Sequence, residues 1–346
     1  MRALITGGAG FIGSHLAESL LAAGHGVTVL DDLSTGQVQN IFDLATRSRF
    51  EVVFDSVTNE DVVTRLAEQA DVIFHLAAVV GVRLVVEEPL HTIDTNVRGT
   101  DVVLRAAARY GTPVLVASTS EVYGKSDVLP FNEDGDLVIG SSSKSRWGYA
   151  ASKLVDEFLA LAYWKEHGLP VVVTRLFNTV GPRQTSRYGM VLPTFVKQAL
   201  AGEPITVHGD GSQTRCFTWV GDVVGALTRL VAEPAAYGEV FNVGNNQEIA
   251  IRDLAVAVRD LAGSRSRITF QPYASVFTSD FEDMARRVPD LTKVHRFIGW
   301  EPRVGLEEIL RRTIDFWRGE MPQPRRAPQP SPAQYASPAA GAGEAA

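Results

Sequence analysis

The chain has almost none of the residues that build disulfides or metal sites, and no segment that could span a membrane. Cys216 is the only cysteine among 346 residues, which excludes an intrachain disulfide and argues against a structural zinc site. The seven histidines lack the spacing of metal ligands, so no metal is expected. No apolar run reaches membrane-spanning length, and no signal peptide fits before a strand that starts at the second residue. We therefore expect a cytoplasmic protein with no membrane partner.

An excess of basic charge is also absent. Lysine and arginine together number 33 against 40 acidic residues, which gives a net charge of -7. This balance does not predict a nucleic-acid partner. Hydrophobic residues make up 45% of the chain, enough for a buried core, and the length allows one large domain or two closely joined ones.

The most informative feature that is present is a glycine-rich turn at the start of the chain. An apolar strand at residues 2–6 leads into G-G-A-G-F-I-G at residues 7–13, and an amphipathic helix follows. Gly7 permits a tight turn, Gly10 lets the backbone approach a pyrophosphate, and Gly13 lets helix and strand pack closely. The helix N-terminus offers free N–H groups to the anion, so this segment predicts a dinucleotide-binding site.

Two acidic residues follow the second predicted strand, residues 27–30. Asp31 and Asp32 lie about 20 residues after the glycines, where a carboxylate can bind the hydroxyls of the adenosine ribose. A 2′-phosphate would meet this carboxylate with no adjacent arginine to compensate, so we predict NAD rather than NADP. The alternative interpretation of Asp31 is a residue that caps a turn or helix.

Strands and helices alternate through the first half of the chain. The predicted strands are residues 51–54, 71–78, 112–118 and 170–176, and the predicted helices are residues 60–69, 94–110 and 149–165. Continuous apolar strands separated by helices indicate an α/β fold with a doubly wound parallel sheet of the Rossmann type.

The pattern changes after residue 176, where loops become longer. We predict an NAD-binding domain at 1–176 with return segments near 213–250, and a smaller, mainly substrate-binding α/β part at 177–320. The strand 238–243 is expected to rejoin the main sheet, and helices are expected at 251–261 and 306–317. Residues 321–346 are rich in proline and alanine and are expected to be disordered.

A tyrosine and a lysine carry the strongest chemical signal. Tyr149 and Lys153 are four residues apart on a predicted helix, which places them on one face. A lysine ammonium and a positive nicotinamide could favour the phenolate, which could then take a proton from a sugar hydroxyl. Thr119, at the end of a predicted strand, can hydrogen-bond the reacting hydroxyl. The alternative for the pair is an ordinary surface tyrosine beside a surface lysine.

This combination resembles the extended short-chain dehydrogenase/reductase family, and within it the NAD-dependent nucleotide-sugar epimerases, dehydratases and decarboxylases. The similarity runs from residue 1 to about residue 318. The supporting motifs are D-D-L-S-T-G at 31–36, H-L-A-A at 75–78, N-V-R-G at 96–99, F-N-T-V-G-P at 177–182, Q-T-R at 213–215 and R-V-P-D at 287–290.

The resemblance assigns roles to particular residues. It implies that NAD is held by Gly7, Gly10, Phe11, Ile12, Gly13, Asp31, Asp32, Asp55, Leu76, Ala77, Ala78, Asn96, Tyr149 and Lys153. It implies that the nucleotide-sugar substrate is bound by Asn178, Arg183, Arg187, Arg215 and Arg287. Guanidinium groups suit phosphate oxygens, although each arginine could instead be a solvated surface charge.

The pair Ser120-Glu121 bears on which reaction follows oxidation of the sugar at C4. By resemblance, 4,6-dehydratases carry an Asp-Glu pair here, so the serine argues against dehydration. T-S-E-V-Y-G at 119–124 is similar to the motif of UDP-glucuronate decarboxylases. Residues 133–140 and 144–149 are similar to the segment before the catalytic tyrosine in UDP-4-keto-pentose-forming decarboxylases and UDP-apiose/xylose synthases. We therefore predict a UDP-glucuronate decarboxylase that forms UDP-xylose or a UDP-4-keto-pentose, with Thr119, Ser120, Glu121, Tyr149 and Lys153 as its catalytic residues.

Two other functions remain open. A UDP-sugar 4-epimerase, acting on UDP-glucuronate or UDP-glucose, would use the same C4 chemistry. A non-catalytic dinucleotide-sensing protein could share the fold, since fold does not fix function, although the intact Thr119, Tyr149 and Lys153 argue against it.

A homodimer is also implied by the resemblance, through the helix near residues 96–110 and the helix that carries Tyr149. The apolar set Val155, Phe158, Leu159, Ala162 and Tyr163 gives the second helix more apolar face than one sheet needs. The alternative is ordinary packing inside one chain.

Overall fold

The computed structural model describes residues 1–187, 189–272, 282 and 284–320. The strands are β1 (Arg2–Thr6), β2 (Gly26–Asp31), β3 (Phe50–Phe54), β4 (Val72–His75), β5 (Val114–Thr119), β6 (Val171–Leu176), β7 (Thr179–Val180), β8 (Ile205–His208), β9 (Thr214–Cys216), β10 (Thr218–Trp219), β11 (Glu239–Val243), β12 (Glu248–Ala250) and β13 (Ile268–Gln271). The helices are α1 (Phe11–Ala22), α2 (Glu60–Glu68), α3 (Val82–Glu87), α4 (Pro89–Tyr110), α5 (Arg146–His167), α6 (Val191–Ala201), α7 (Val220–Val231), α8 (Ile251–Leu261), α9 (Thr292–Ile298) and α10 (Leu306–Glu320).

Seven strands form one parallel sheet in the order β11-β6-β5-β4-β1-β2-β3. The order reverses between β1 and β4, and this switch point opens a crevice at the carboxyl ends of the strands. The predicted Rossmann-type fold is confirmed. The strand expected to return to the sheet is β11, which pairs in parallel with β6 at the far edge.

Helices cover both faces of the sheet and bury two apolar cores. One core lies under α1 and α7 and includes Leu16, Leu20 and Leu227. The other lies under α2, α4 and α5 and includes Val103 and Val173. Each fully buried aliphatic side chain contributes about 1.5–3 kcal/mol to folding. A third core forms between α6, α8 and α10, away from the main sheet.

The helices differ from the sequence-based prediction in several places: α5 runs from residue 146 to 167 rather than from 149 to 165, and α6, α7 and α9 were not predicted. Helix α4 begins at Pro89 rather than at residue 94, with proline in its first turn, where the missing N–H costs nothing. The short helix α3 precedes it and was not predicted. The predicted disordered tail at 321–346 lies outside the described residues. Within the part of the chain that the structure describes, no helix is long and apolar enough to cross a membrane.

A buried polar network ties distant parts of the chain together beneath the crevice. Arg175 on β6 pairs with Glu157 on α5, with Nη2 and Oε2 2.8 Å apart, and donates to the hydroxyl of Tyr123 at 3.0 Å. That hydroxyl donates to Oδ1 of Asn242 on β11 at 2.8 Å. We call these four residues the Arg175 network. Because all four side chains are buried, each polar contact also avoids the cost of an unsatisfied group.

Candidate active site

The glycine-rich turn has no room for side chains. The backbone of Gly7 adopts φ +73°, which favours glycine. A Cβ on Gly13 would lie 2.3 Å from the Gly7 carbonyl oxygen, and one on Gly8 would lie 2.5 Å from Cγ2 of Val29. Gly8 therefore packs against β2, a requirement that the sequence analysis missed although the residue stands inside the motif. The open turn lies at the N-terminus of α1, and this arrangement fits a dinucleotide pyrophosphate.

The Asp31 carboxylate holds this turn in place. Its Oδ2 accepts a hydrogen bond from the Ala9 N–H at 2.8 Å, and its Oδ1 accepts one from the Leu33 N–H at 2.9 Å. Burial raises the pKa of the Asp31 carboxyl, and these backbone hydrogen bonds oppose the rise. Asp31 thus caps a turn, as the alternative interpretation held, and it also lines the crevice together with Asp32.

The crevice is a cavity of about 990 Å³ that runs from the glycine turn to the loops after β6. Most of the predicted site residues line it: Gly7, Gly10, Phe11, Ile12, Gly13, Asp31, Asp32, Asp55, Leu76, Ala77, Ala78, Thr119, Ser120, Glu121, Tyr149, Lys153, Asn178, Arg187, Arg215 and Arg287. Two predicted residues, Asn96 and Arg183, are not among the lining residues.

Asn96 lies behind the wall of the cavity. Its Oδ1 accepts a hydrogen bond from the Val79 N–H at 2.8 Å, and its Nδ2 donates to Oγ of Ser152 at 3.1 Å. It therefore fastens the loop after β4 to α5, and its contact with the cofactor stays a prediction.

Arg183 is not a lining residue of the cavity. Its guanidinium pairs with Glu18 on α1, with Nη2 and Oε2 2.7 Å apart. Its backbone has φ +67°. The contact of Arg183 with the substrate stays a prediction. In contrast, Arg215 is buried at the cavity, where its Nη1 donates to the Thr214 carbonyl at 2.7 Å.

The predicted Tyr149 and Lys153 pair lies on α5, facing the end of β5. Tyr149 is hydrogen-bonded to the Thr119 side chain. Burial raises the pKa of Tyr149, and the negative charges of Glu121 and Asp156 raise it further. The Lys153 ammonium is already paired with Asp156, with Nζ and Oδ2 2.6 Å apart. In the absence of a cofactor, burial and these carboxylates therefore favour the protonated tyrosine, although the nearby charge of Arg146 opposes the rise in its pKa.

A buried group of three charges lies beside Tyr149, and we call it the Glu121 cluster. Glu121 bridges Arg146 and Arg287; its Oε1 accepts from Nη1 of Arg287 at 3.2 Å, and its Oε2 accepts from Nη1 of Arg146. Burial alone would raise the pKa of Glu121, but the charges and hydrogen bonds of the two arginines lower it to about 2. Glu121 is therefore ionised near neutral pH, held between the two guanidinium groups.

Arg146 is the main site residue that the sequence analysis did not select. It stands three residues before Tyr149 in the first turn of α5, so both side chains share one face of the helix. Its side chain is 2% exposed, which is rare for an arginine outside a functional or structural ion pair. The spacing was visible in the sequence, but its partner, Glu121, lies 25 residues earlier.

The fold and the cavity together define an NAD-dependent enzyme of nucleotide-sugar metabolism. The turn can hold a pyrophosphate, the Asp31 and Asp32 carboxylates stand at the end of β2, and the tyrosine–lysine pair faces the same cavity. The chain belongs to the GDP-mannose 4,6-dehydratase family, whose model matches residues 4–313.

Similar proteins with assigned activities include two decarboxylases. UDP-N-acetyl-alpha-D-glucosaminuronate decarboxylase from Bacillus cytotoxicus is 41% identical over 318 residues, which cover 92% of this chain and 98% of the relative. UDP-glucuronic acid decarboxylase 1 from Danio rerio is 41% identical over 322 residues, which cover 92% of this chain and 73% of the relative.

Solved structures with the same fold include an epimerase and a dehydratase that contain NAD. UDP-glucuronic acid 4-epimerase from Bacillus cereus, in complex with a UDP-4-deoxy-4-fluoro-glucuronic acid and NAD, has a TM-score of 0.83 and 28% identity over 93% of this chain and 100% of that one. dTDP-glucose 4,6-dehydratase from Bacillus anthracis in complex with NAD has a TM-score of 0.81 and 28% identity over 92% of this chain and 97% of that one. NAD is the cofactor of this family, and the predicted cofactor is confirmed.

Proposed function

We propose that the chain is a UDP-glucuronate decarboxylase that oxidises the sugar at C4 and then releases C6 as carbon dioxide. The observation that carries the proposal is the Glu121 cluster, which places two guanidinium groups in the cavity wall beside Tyr149. Guanidinium groups are well suited to bind the carboxylate of a substrate. A uronate sugar has a carboxylate at C6, whereas a neutral hexose does not.

The first step needs a group that accepts the proton of the C4 hydroxyl. Tyr149 is in place for this role, with Thr119 hydrogen-bonded to it. Bound NAD supplies the hydride acceptor and a positive charge that favours the phenolate. Because the protein alone raises the pKa of Tyr149, the tyrosine also holds a proton well enough to return it to the C4 oxygen later in the cycle.

The second step breaks the bond between C5 and C6. The C4 ketone lies β to the carboxylate, so the bonding electrons move to form an enolate on the C4 oxygen while carbon dioxide leaves. Thr119 and Tyr149 can donate hydrogen bonds to that oxygen. A proton then adds to C5. Because Glu121 is ionised, it is not the donor of this proton; it holds Arg146 and Arg287 at the cavity wall instead.

The nucleotide end of the substrate is assigned to the part of the chain after residue 176. Asn178, Arg187 and Arg215 all line the cavity there, and the buried guanidinium of Arg215 suits a phosphate oxygen. This supports the division into an NAD-binding part at 1–176 and a mainly substrate-binding part at 177–320.

The helices α4 and α5 offer a surface for a homodimer. They run side by side, and they expose Leu90 and Ile93 on α4 and Val155 and Phe158 on α5, with Phe158 66% exposed. Four large apolar side chains on two packed helices are more than scattered surface residues explain. Leu159 and Tyr163 pack instead against the core of the same chain.

The test is incubation of the purified protein with NAD and each of three nucleotide sugars, followed by mass spectrometry and NMR of the product. UDP-glucuronate, UDP-N-acetylglucosaminuronate and UDP-glucose separate a uronate enzyme from a neutral-sugar one. We expect UDP-glucuronate to give a product lighter by one carbon dioxide. Unchanged mass with inversion at C4 would identify a 4-epimerase, and no conversion of any uronate would refute the proposal.

The control variant is Tyr149→Phe. It keeps the ring and removes the proton-transferring hydroxyl, so turnover should fall by about 10²–10⁴-fold while the fold is retained. A variant with full activity would remove Tyr149 from the mechanism. A protein that binds NAD but converts nothing, in both forms, would be a dinucleotide-binding module without catalysis.

A further inference from the structure

The strongest unassigned feature lies behind the catalytic lysine. Asp156 is 0% exposed, and its Oδ2 accepts a hydrogen bond from Nζ of Lys153 at 2.6 Å. Its other oxygen, Oδ1, is buried with no hydrogen-bond partner among the described residues. A buried carboxylate with an unsatisfied oxygen is costly, so its presence needs a reason other than stability.

The surroundings of Asp156 hold it in place without cancelling its charge. His75 on β4 is hydrogen-bonded to Thr6 through Nδ1 at 2.8 Å and to Thr100 through Nε2 at 3.0 Å. Burial lowers the pKa of His75 to about 3, so its ring is neutral. Burial raises the pKa of the Asp156 carboxyl, and the charge of Lys153 and the neighbouring Thr100 hydroxyl oppose this rise.

The hydrogen bonds have a consistent direction. The Thr6 hydroxyl oxygen accepts from the Ala77 N–H at 3.3 Å and can donate its own proton to Nδ1 of His75. A neutral His75 then carries its proton on Nε2 and donates to Thr100. Thr100 in turn can donate to Asp156. Every donor in this chain is directed towards the carboxylate and opposes the rise in its pKa that burial causes.

Lys153 has three N–H donors, and Asp156 takes one of them. The lysine is also a lining residue of the cavity, whereas Asp156 is not. The ion pair therefore fixes the direction in which the ammonium approaches the cavity. Asp156 holds the ammonium from the interior of the protein, because it lies three residues after Lys153 on the same helix.

We propose that Asp156 is a positioning residue that anchors Lys153 from behind, so that the ammonium presents its remaining N–H groups to NAD and to Tyr149. Asp156 touches neither substrate nor cofactor. It acts through Lys153, and its negative charge also restrains deprotonation of Tyr149. Only the measurement of the oxidation rate rests on the proposed C4 oxidation. The measurement of NAD affinity does not involve the sugar.

The charged and titratable groups around this site come from several elements. Tyr149 is faced by Glu121 after β5 and by Arg146, Lys153 and Asp156 on α5, and the Lys153–Asp156 pair is faced by His75 on β4 and by Glu157 on α5. Among these, Glu157 gives a matched control. It is the next residue on the helix and is buried, but it pairs with Arg175 rather than with Lys153.

The experiment compares Asp156→Asn with Glu157→Gln in two assays. Calorimetric titration with NAD measures cofactor affinity. Stopped-flow absorbance of the reduced nicotinamide, in a single turnover across a pH series, measures sugar oxidation. For Asp156→Asn we expect about tenfold weaker NAD binding and a loss of oxidation rate on the order of 10- to 100-fold. The rise of the oxidation rate with pH should also occur at lower pH than in the wild type.

The direction of the pH change follows from charge. Asp156 raises the pKa of Tyr149, so removing its charge lets the tyrosine ionise at lower pH. Glu157→Gln should be less stable than the wild type, but its NAD affinity and the pH dependence of its oxidation rate should be those of the wild type. Equal behaviour of the two variants in both assays would reduce Asp156 to a structural residue and overturn the proposal.

A second pair of variants guards against misfolding of Asp156→Asn. Lys153→Gln alone is compared with Lys153→Gln plus Asp156→Asn, which leaves neither member of the pair charged. If Asp156 acts through Lys153, adding Asp156→Asn should change NAD affinity by less than about twofold. A further large loss would refute the anchoring role. If no nucleotide sugar were oxidised, the NAD titrations would still decide this proposal, so its failure is distinguishable from failure of the proposed function.

Discussion

Replacement of Glu121 by glutamine tests the electrostatics of the active site most directly. The substitution keeps the shape of the side chain and removes the charge that lies between Arg146 and Arg287. All three side chains are largely buried, at 13%, 2% and 9% exposed, so water screens little of the remaining repulsion between the two guanidinium groups.

The magnitude follows from the pKa of Glu121. It falls from 4.5 to about 2 in the folded protein, and at about 1.4 kcal/mol per pKa unit this corresponds to about 3 kcal/mol of stability. Because the folded-state pKa is depressed, the contribution is present above the unfolded-state pKa. It is lost as the pH falls towards the folded-state value.

We therefore expect Glu121→Gln to unfold at a lower denaturant concentration than the wild type at neutral pH. The free energy of unfolding should be lower by about 3 kcal/mol. The difference should shrink as the pH falls below about 4.5. Urea titrations monitored by circular dichroism over a pH series measure it. A difference that stays constant with pH would refute the assignment of an ionised, arginine-paired Glu121.

Glu133 provides the opposite case for comparison. It is buried, and burial raises the pKa of its carboxyl. Ionisation of Glu133 therefore costs stability in the folded protein. The free energy of unfolding of Glu133→Gln, relative to that of the wild type, should therefore increase as the pH rises. This is the reverse of the trend expected for Glu121→Gln.

Three further predictions concern the cofactor turn, the helix surface and the cysteine. Gly13→Ala should weaken NAD binding at least about tenfold by calorimetry, because its Cβ would overlap a turn carbonyl at 2.3 Å, whereas Gly225→Ala on α7 has open space and should bind NAD normally. Phe158→Glu should convert a dimer to a monomer in analytical ultracentrifugation, and Val256→Glu on α8, also an exposed apolar position, should not; a wild-type monomer would refute the proposed interface. Burial raises the pKa of Cys216 to about 12, so the folded protein should resist a thiol-specific reagent at mildly alkaline pH and react only after unfolding; rapid labelling of the native protein would contradict this.

Local patterns in the sequence were enough to predict the parallel sheet and the cofactor turn. Spacing along one segment is sufficient for a strand–glycine–helix unit, and the clashes that a Cβ would cause at Gly8 and Gly13 show why this turn needs glycine. The pair Tyr149 and Lys153 was predicted for the same reason, because four residues on a helix fix a shared face.

The charges that set the properties of this pair could not be derived in the same way. Glu121 and Arg146 are 25 residues apart, and Arg287 comes 166 residues after Glu121, so only the fold brings them together. Arg183 shows the same limit: its ion pair with Glu18 on the first helix joins residues 165 positions apart and could not be predicted from the loop that carries the arginine. The identity of a charged residue does not predict which of several carboxylates it will pair with.

The Arg175 network has a consequence for how the chain can be divided. Its members come from residues 123, 157, 175 and 242, so the last strand of the sheet completes a polar cluster that the first half leaves open. A fragment ending near residue 176 would expose one edge of β6 and would leave Tyr123 without its acceptor. The first 176 residues are thus not an exchangeable module: a chimaera joined at this boundary would have to bring its own β11, with an asparagine at the position of Asn242.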